Sequence, residues 1–103
     1  MALPLSSKPL TKIVRISGTS YFPEEISRLF RKYSFEQILG EVCSEPTNPV
    51  DTKAKAVYIE NELIGYIPKE LVDRFPEGQY AVSFCYFQTI KMKTPEISVQ
   101  IHF

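Results

Sequence analysis

The 103-residue sequence lacks tryptophan, has only two cysteines and one histidine, and carries no excess of either charge. Twelve lysines and arginines balance twelve acidic residues, so we expect no strong attraction of the whole molecule to a polyanion. Nucleic-acid binding would therefore require a local patch. No hydrophobic run is long enough to cross a bilayer, and the N-terminus lacks the pattern of a signal peptide. These absences favour a cytoplasmic protein.

Signatures of catalysis and of metal binding are also missing. Cys43 and Cys85 form no CxxC pair and no Cys/His cluster, so we expect buried, reduced thiols and no metal. His102 is predicted on the wet side of the last strand, with no partner nearby in sequence. Neither paired carboxylates nor a phosphate-binding glycine loop is recognisable. We expect no catalytic activity and no cofactor; a polar cluster around His102 would instead favour a hydrolytic enzyme.

The residues that are present suit one small domain. A chain of this length with 44% apolar residues can form one hydrophobic core without metals or disulfides. Residues 1–11 contain two prolines and two serines and are predicted to form a flexible arm. Residues 12–103 are predicted to form the domain.

The hydrophobic pattern predicts a mainly β protein with two short α-helices, arranged as a small, six-stranded, partly open antiparallel barrel. Asn61 and Glu62 are predicted to turn a hairpin, and Gly40 to form a bulge. Proline at the first helical position and apolar residues at helical spacing predict helices at 22–33 and 68–75. The predicted strands are 12–18, 37–45, 54–60, 62–67, 79–90 and 96–103.

Three short motifs follow one another within residues 12–75. A glycine followed by an aromatic pair occupies 18–22, Glu-Pro-Thr-Asn-Pro-Val-Asp occupies 45–51, and Ile-Gly-Tyr-Ile-Pro occupies 64–68. This order and spacing resembles the HIRAN domain. The resemblance implies an OB-like barrel that binds single-stranded DNA or its 3′ end in DNA repair or processing. HIRAN domains also occur fused to helicases and nucleases, which implies a protein partner of that kind.

The resemblance further implies a set of DNA-binding residues. Tyr21 matches an aromatic residue that stacks on a base, Asp51 an acid that accepts a hydrogen bond from a terminal sugar hydroxyl, and Lys69 a phosphate contact. Ser20 and Val50 stand where the family has an arginine and an aromatic residue, so one guanidinium and one stacking ring are absent. The full candidate set is Tyr21, Phe22, Asn48, Asp51, Lys53, Tyr66 and Lys69.

Each of these assignments has a structural alternative. Asp51 and Asn48 are typical turn-forming residues, and Tyr66 could close one end of the barrel. The helix beginning at Pro68 has no capping side chain, so either water or a phosphate could satisfy its first N–H groups. For the whole protein, the alternative is a protein-interaction module or a homo-oligomer that pairs through an exposed strand edge. The zero net charge and the alternating final strand favour this alternative.

Overall fold

The computed structural model describes residues 12–34, 36–87 and 96–103, so the predicted arm at 1–11 lies outside the described residues. The helical segments are α1 (Pro23–Tyr33) and two 3-10 segments, Thr19–Tyr21 and Lys69–Arg74. The strands are β1 (Ile13–Arg15), β2 (Ile38–Ser44), β3 (Lys55–Ile59), β4 (Glu62–Tyr66), β5 (Gly78–Phe87) and β6 (Glu96–His102). None of the helices in these ranges has the length and apolar character needed to cross a membrane.

The six strands form one antiparallel sheet in the order β1-β6-β5-β2-β3-β4. The sheet curls until the segment after β1 meets the end of β4. There Ser17 and Tyr66 exchange two backbone hydrogen bonds, each with an N···O distance of 2.9 Å. The predicted mainly β, partly open antiparallel barrel with two short helices is therefore confirmed.

The core fills the inside of this curled sheet, and α1 contributes to it. Ile26 and Leu29 of α1 are buried, and Phe30 and Tyr33 are half-buried against them, as their helical spacing predicts. The other buried side chains of the core come from every strand pair and from the loops that connect them. They include Ile16, Val42, Val57, Ile59, Ile64, Ile67, Phe75, Val82, Phe84, Val99 and Ile101.

Three details of the elements differ from the sequence prediction. The segment Lys69–Arg74 is a 3-10 helix rather than an α-helix. The hairpin turn is Glu60-Asn61, one residue earlier than predicted, and both residues have left-handed φ angles of 54° and 66°. This geometry is that of a type I′ turn, which matches the twist of the flanking strands. Gly40 pairs regularly with Tyr80, and the irregular register lies between β3 and β4 instead.

The predicted burial of the cysteines is wrong. Cys43 and Cys85 are free thiols, but Cys43 is only half-buried and Cys85 is exposed. Their strand neighbours Val42 and Phe84 are buried, and alternate residues of a strand point to opposite faces. Both thiols therefore lie on the outer face of the sheet.

The last strand is also less exposed than its alternating sequence predicts. Ser98 is only 4% exposed, and Gln100 and His102 are half-buried. β6 lies between β1 and β5, because β1 pairs along it from Ile13↔His102 to Arg15↔Gln100. The final strand therefore lies inside the sheet, and the sheet edges are β1 and β4.

Polar side chains fasten α1 to the β3–β4 hairpin. Arg28 pairs with Glu62, and the Tyr33 hydroxyl donates a hydrogen bond to Glu60. Lys32 Nζ also donates to Glu60 Oε2 at 2.9 Å. These donors hold the pKa of the Glu60 carboxyl below its ordinary value. Because the groups are largely exposed, they orient the helix more than they stabilise it.

We predict that Gly65→Ala destabilises the closure of the barrel. A Cβ at this position would lie 2.7 Å from the carbonyl oxygen of Ser17 and 2.6 Å from Cγ2 of Ile16. Relieving that overlap must displace the backbone bridge, at a cost of about 1–3 kcal/mol in the free energy of unfolding. Urea denaturation measures this change. The control Leu39→Ala, at a position 64% exposed, should change stability by less than about 0.5 kcal/mol; equal effects would contradict the prediction.

Candidate functional site

Tyr66 lies where the three motif segments meet. Its backbone pairs with Ser17, and the Ser17 hydroxyl donates a further hydrogen bond to the Tyr66 carbonyl at 3.1 Å. A Cβ built on Gly18 would lie 3.7 Å from Cδ1 of the Tyr66 ring. Gly18 has a left-handed φ of 72°, which glycine adopts without strain. The Tyr66 hydroxyl donates to Glu45 Oε1 at 3.1 Å, so one tyrosine joins the 17–22 turn to the 45–51 loop.

Asn48 shapes the 45–51 loop from within. Its Nδ2 donates to Glu45 Oε1 at 2.9 Å. Its Oδ1 accepts the backbone N–H groups of Val50 and Asp51 at 2.9 and 3.0 Å. Both ends of the amide are thus engaged inside the loop, which agrees with the turn-forming interpretation of this residue.

Asp51 combines a turn contact with an oxygen that makes no hydrogen bond inside the described part of the chain. Its Oδ1 accepts the Lys53 N–H at 2.9 Å, which is a typical Asx turn. The residue is half-buried, and no hydrogen bond to Oδ2 is observed among residues 12–34, 36–87 and 96–103. Val50 beside it is 92% exposed. One oxygen therefore shapes the loop while the other remains able to accept a hydrogen bond.

The two aromatic residues after Gly18 have different surroundings. Tyr21 is 83% exposed, although its N–H donates to the Gly18 carbonyl at 3.2 Å and so fixes the backbone beneath the ring. Phe22 is half-buried and packs against the core, and its carbonyl accepts the Ile26 N–H at 3.1 Å. Tyr21 presents its ring to solvent, whereas Phe22 anchors the turn to the start of α1.

The lysines near the site also differ in their surroundings. Lys53 and Lys69 are exposed. Lys55, at the start of β3, instead donates from Nζ to the carbonyls of Val72 and Phe75 at 2.9 and 2.8 Å. Its ammonium group therefore fixes the end of the 3-10 helix that Lys69 begins.

A groove of about 530 Å³ borders the 17–22 turn. None of the seven predicted DNA-binding residues lines this groove. The groove is therefore not a cleft that brings Tyr21, Asp51 and Lys69 together. Hydroxyl groups and one guanidinium supply its polar surface. Its polar lining consists of Arg15, Ser17, Thr19, Ser20 and Ser27.

Glu45 is the residue of this region whose role the sequence analysis missed. It is half-buried, and its Oε1 accepts hydrogen bonds from both Asn48 and Tyr66. Its position three residues before Asn48 is a turn spacing that could have indicated the first contact. The second contact joins residues 21 positions apart and depends on the folded sheet.

Burial raises the pKa of the Tyr66 phenol, and the hydrogen bond to Glu45 and the charge of that carboxylate raise it further. The phenol consequently keeps its proton and acts as the donor to Glu45. A protonated tyrosine and an ionised glutamate form a charge-assisted hydrogen bond, which is stronger than one between neutral groups.

His102 has a partner that the sequence did not reveal. Its Nε2 lies 3.0 Å from Ser83 Oγ across the β5–β6 pair. The contact follows from the register that pairs Ser83 with Gln100, which neither strand discloses alone. A catalytic histidine also needs a group that orients its second nitrogen. No carboxylate bonds to His102 within the described ranges, and no three His, Cys, Asp or Glu side chains there could hold a metal ion.

Comparisons with known proteins add no family to these observations. Neither protein-family models, nor curated proteins, nor solved structures give a significant match to this chain. The contacts and exposures around Tyr66, together with the motif order along the chain, are therefore the basis for a functional proposal.

We predict that Glu45→Gln lowers the pKa of Tyr66. Glutamine keeps an oxygen that can accept the hydrogen bond but removes the negative charge that opposes tyrosinate formation. Burial still applies, so the pKa should fall only part of the way to that of an ordinary tyrosine. Alkaline titration followed by tyrosinate absorbance measures it, with Tyr66→Phe identifying the contribution of this residue. An unchanged titration would show that the carboxylate does not act on the phenol.

Proposed function

We propose that this protein is a HIRAN-type module without catalytic activity that binds single-stranded DNA at its 3′ end, in DNA repair or processing. The observation that carries the proposal is the exposed ring of Tyr21 on a backbone turn tied to Tyr66. A ring carried on a backbone that is fixed before binding loses less freedom when a base stacks on it, and every base offers a face for stacking.

In this proposal the remaining polar groups contact different parts of the terminal nucleotides. Asp51 Oδ2 accepts a hydrogen bond from the 3′ hydroxyl of the sugar. Lys69, with Lys53 near the loop, supplies the positive charge for backbone phosphates. Because the whole chain has no net charge, these local ammonium groups account for most of the electrostatic attraction. Each phosphate contact should contribute about −0.7 to the salt slope of the binding constant.

The two departures from the family pattern set the expected strength of binding. Val50 is 92% exposed and offers an apolar contact, but it has no ring on which a second base could stack. Ser20 has no guanidinium to hold a phosphate. Stacking is worth about 1–3 kcal/mol per base, so we propose that this protein binds DNA ends more weakly than a member with both aromatic residues.

A second candidate function is pairing with a strand of a partner protein, and the edge strand β1 supports it. Ile13 is 54% exposed on β1, an edge strand whose far side pairs with no strand in the described part of the chain. Such an edge can accept a strand from a partner, which would be a second copy in the simplest case. Sedimentation of the full chain at increasing concentration tests this form, and a monomer throughout would count against it.

Tyr21→Ala should weaken binding to short single-stranded oligonucleotides by about 5- to 150-fold, the loss expected from one stacked base. Fluorescence anisotropy with labelled oligonucleotides at low salt measures the dissociation constant. Tyr21→Phe is the matched control, because it keeps the ring and should bind nearly as well as the wild type. The proposal fails if the wild-type protein binds no oligonucleotide under these conditions, or if Tyr21→Ala binds equally well.

Replacing the 3′ hydroxyl of the oligonucleotide by a phosphate should weaken binding to the wild type by about tenfold or more, since Asp51 would then face a negative charge instead of a donor. In Asp51→Asn the discrimination between the two ends should largely disappear. Equal affinity of the wild type for both ends would remove the assigned role of Asp51 while leaving stacking on Tyr21 in place.

A further inference from the structure

Glu45 makes more connections than its place in a surface loop requires. Its backbone N–H donates to the Ala54 carbonyl at 2.9 Å, and its own carbonyl accepts the Asn48 N–H at 3.0 Å. Its carboxylate oxygen Oε1 accepts from Asn48 Nδ2 at 2.9 Å and from the Tyr66 hydroxyl at 3.1 Å. One residue therefore joins the start of the loop, the end of the loop and the end of β4.

These bonds continue in both directions towards the proposed nucleotide contacts. On one side, Asn48 Oδ1 holds the backbone N–H of Asp51 at 3.0 Å. On the other side, Tyr66 pairs with Ser17, and the adjacent Gly18 carbonyl accepts the Tyr21 N–H. Glu45 is thus the central acceptor in a series of hydrogen bonds and strand contacts that runs from the backbone of Asp51 to the backbone of Tyr21.

We propose that Glu45 is a positioning residue, whose carboxylate fixes the distance between Asp51 and the Tyr21 ring so that one terminal nucleotide contacts both. The inference rests on the proposed function, and it assigns the residue that holds Asp51 in the position from which it selects a 3′ hydroxyl. In this inference Glu45 acts on the loop and on β4 through Oε1, which already accepts two hydrogen bonds, and not through a contact with the nucleotide.

The ionised carboxylate suits this role better than an amide. A charged oxygen forms shorter and stronger hydrogen bonds than a neutral carbonyl, and here one oxygen serves two donors. Glutamine retains an acceptor of the same length without the charge, whereas alanine removes the acceptor altogether. The discrimination between 3′-hydroxyl and 3′-phosphate ends should therefore decrease in the order wild type, Glu45→Gln, Glu45→Ala.

The test measures dissociation constants of the full chain for two oligonucleotides that differ only in the 3′ group. Glu45→Ala should weaken binding of the 3′-hydroxyl strand about tenfold, and the ratio of the two constants should approach one. Glu77→Ala is the matched control. Glu77 Oε2 accepts the Ser44 N–H at 2.8 Å at the same end of β2. Glu77→Ala therefore removes one carboxylate hydrogen bond next to Glu45 and leaves the bonds to Tyr66 and Asn48 in place.

Combination with Asp51→Asn separates positioning from a general loss of structure. If Glu45 acts through Asp51, adding Glu45→Ala to Asp51→Asn should cause no further loss of end discrimination. A merely structural role would instead weaken binding of both strands equally and leave the ratio unchanged. Should Glu45→Ala fail to fold, the same two dissociation constants are measured for Tyr66→Phe. This variant removes only the hydrogen bond between the Tyr66 hydroxyl and Glu45, which joins the loop to β4.

The outcomes distinguish this inference from the function on which it rests. If the wild type binds neither oligonucleotide, the proposed function and the inference are both overturned. If the wild type prefers the 3′ hydroxyl but Glu45→Ala keeps that preference, or Glu77→Ala loses it to the same extent, only the role of Glu45 is overturned. A selective loss in Glu45→Ala that is absent in the Asp51→Asn background supports it.

Discussion

The pair of backbone hydrogen bonds between Ser17 and Tyr66 is the constraint on which the other features depend. It joins the two ends of a six-stranded sheet, and it needs Gly65 because any side chain there would overlap the Ser17 carbonyl. The same bridge brings Gly18 against the Tyr66 ring. Without it, the turn bearing Tyr21 and the loop held by Glu45 would have no common frame, since they are more than twenty residues apart in sequence.

The fold followed from the sequence because its strands alternate clearly and its breaks carry Gly, Pro or Asn. The errors occurred where the deciding force is not local. The hairpin turn includes Glu60 because Ile59 pairs with Glu62, and a two-residue loop with both φ angles positive then fits the strand twist. β6 was predicted to have one solvent-exposed face because its alternate residues are polar. Pairing with β1 covers it, and that pairing has no signal in either strand alone.

The candidate site was also only partly predictable, because some of its contacts are local in sequence and others are not. The motifs identified the segments that meet around Tyr66, and the turn chemistry of Asn48 and Asp51 follows from their side chains. The sequence could not show that Lys55 turns its ammonium group to two carbonyls rather than to solvent, or that Glu45 bonds Tyr66. Such partners are set by strand register and loop path, which emerge only when the sheet is complete.

The pairing of β1 with β6 has a consequence for how the chain reaches this structure. Ile13 lies opposite His102, so the first and last of the six strands are neighbours although nearly the whole sequence separates them. Contacts between such distant residues slow folding, because a large loop must close before they form. During synthesis on the ribosome, β1 cannot form its pairing with β6 until that strand has emerged. The nascent chain therefore exposes apolar surface until β6 has been synthesised, and a chaperone can bind that surface in the meantime.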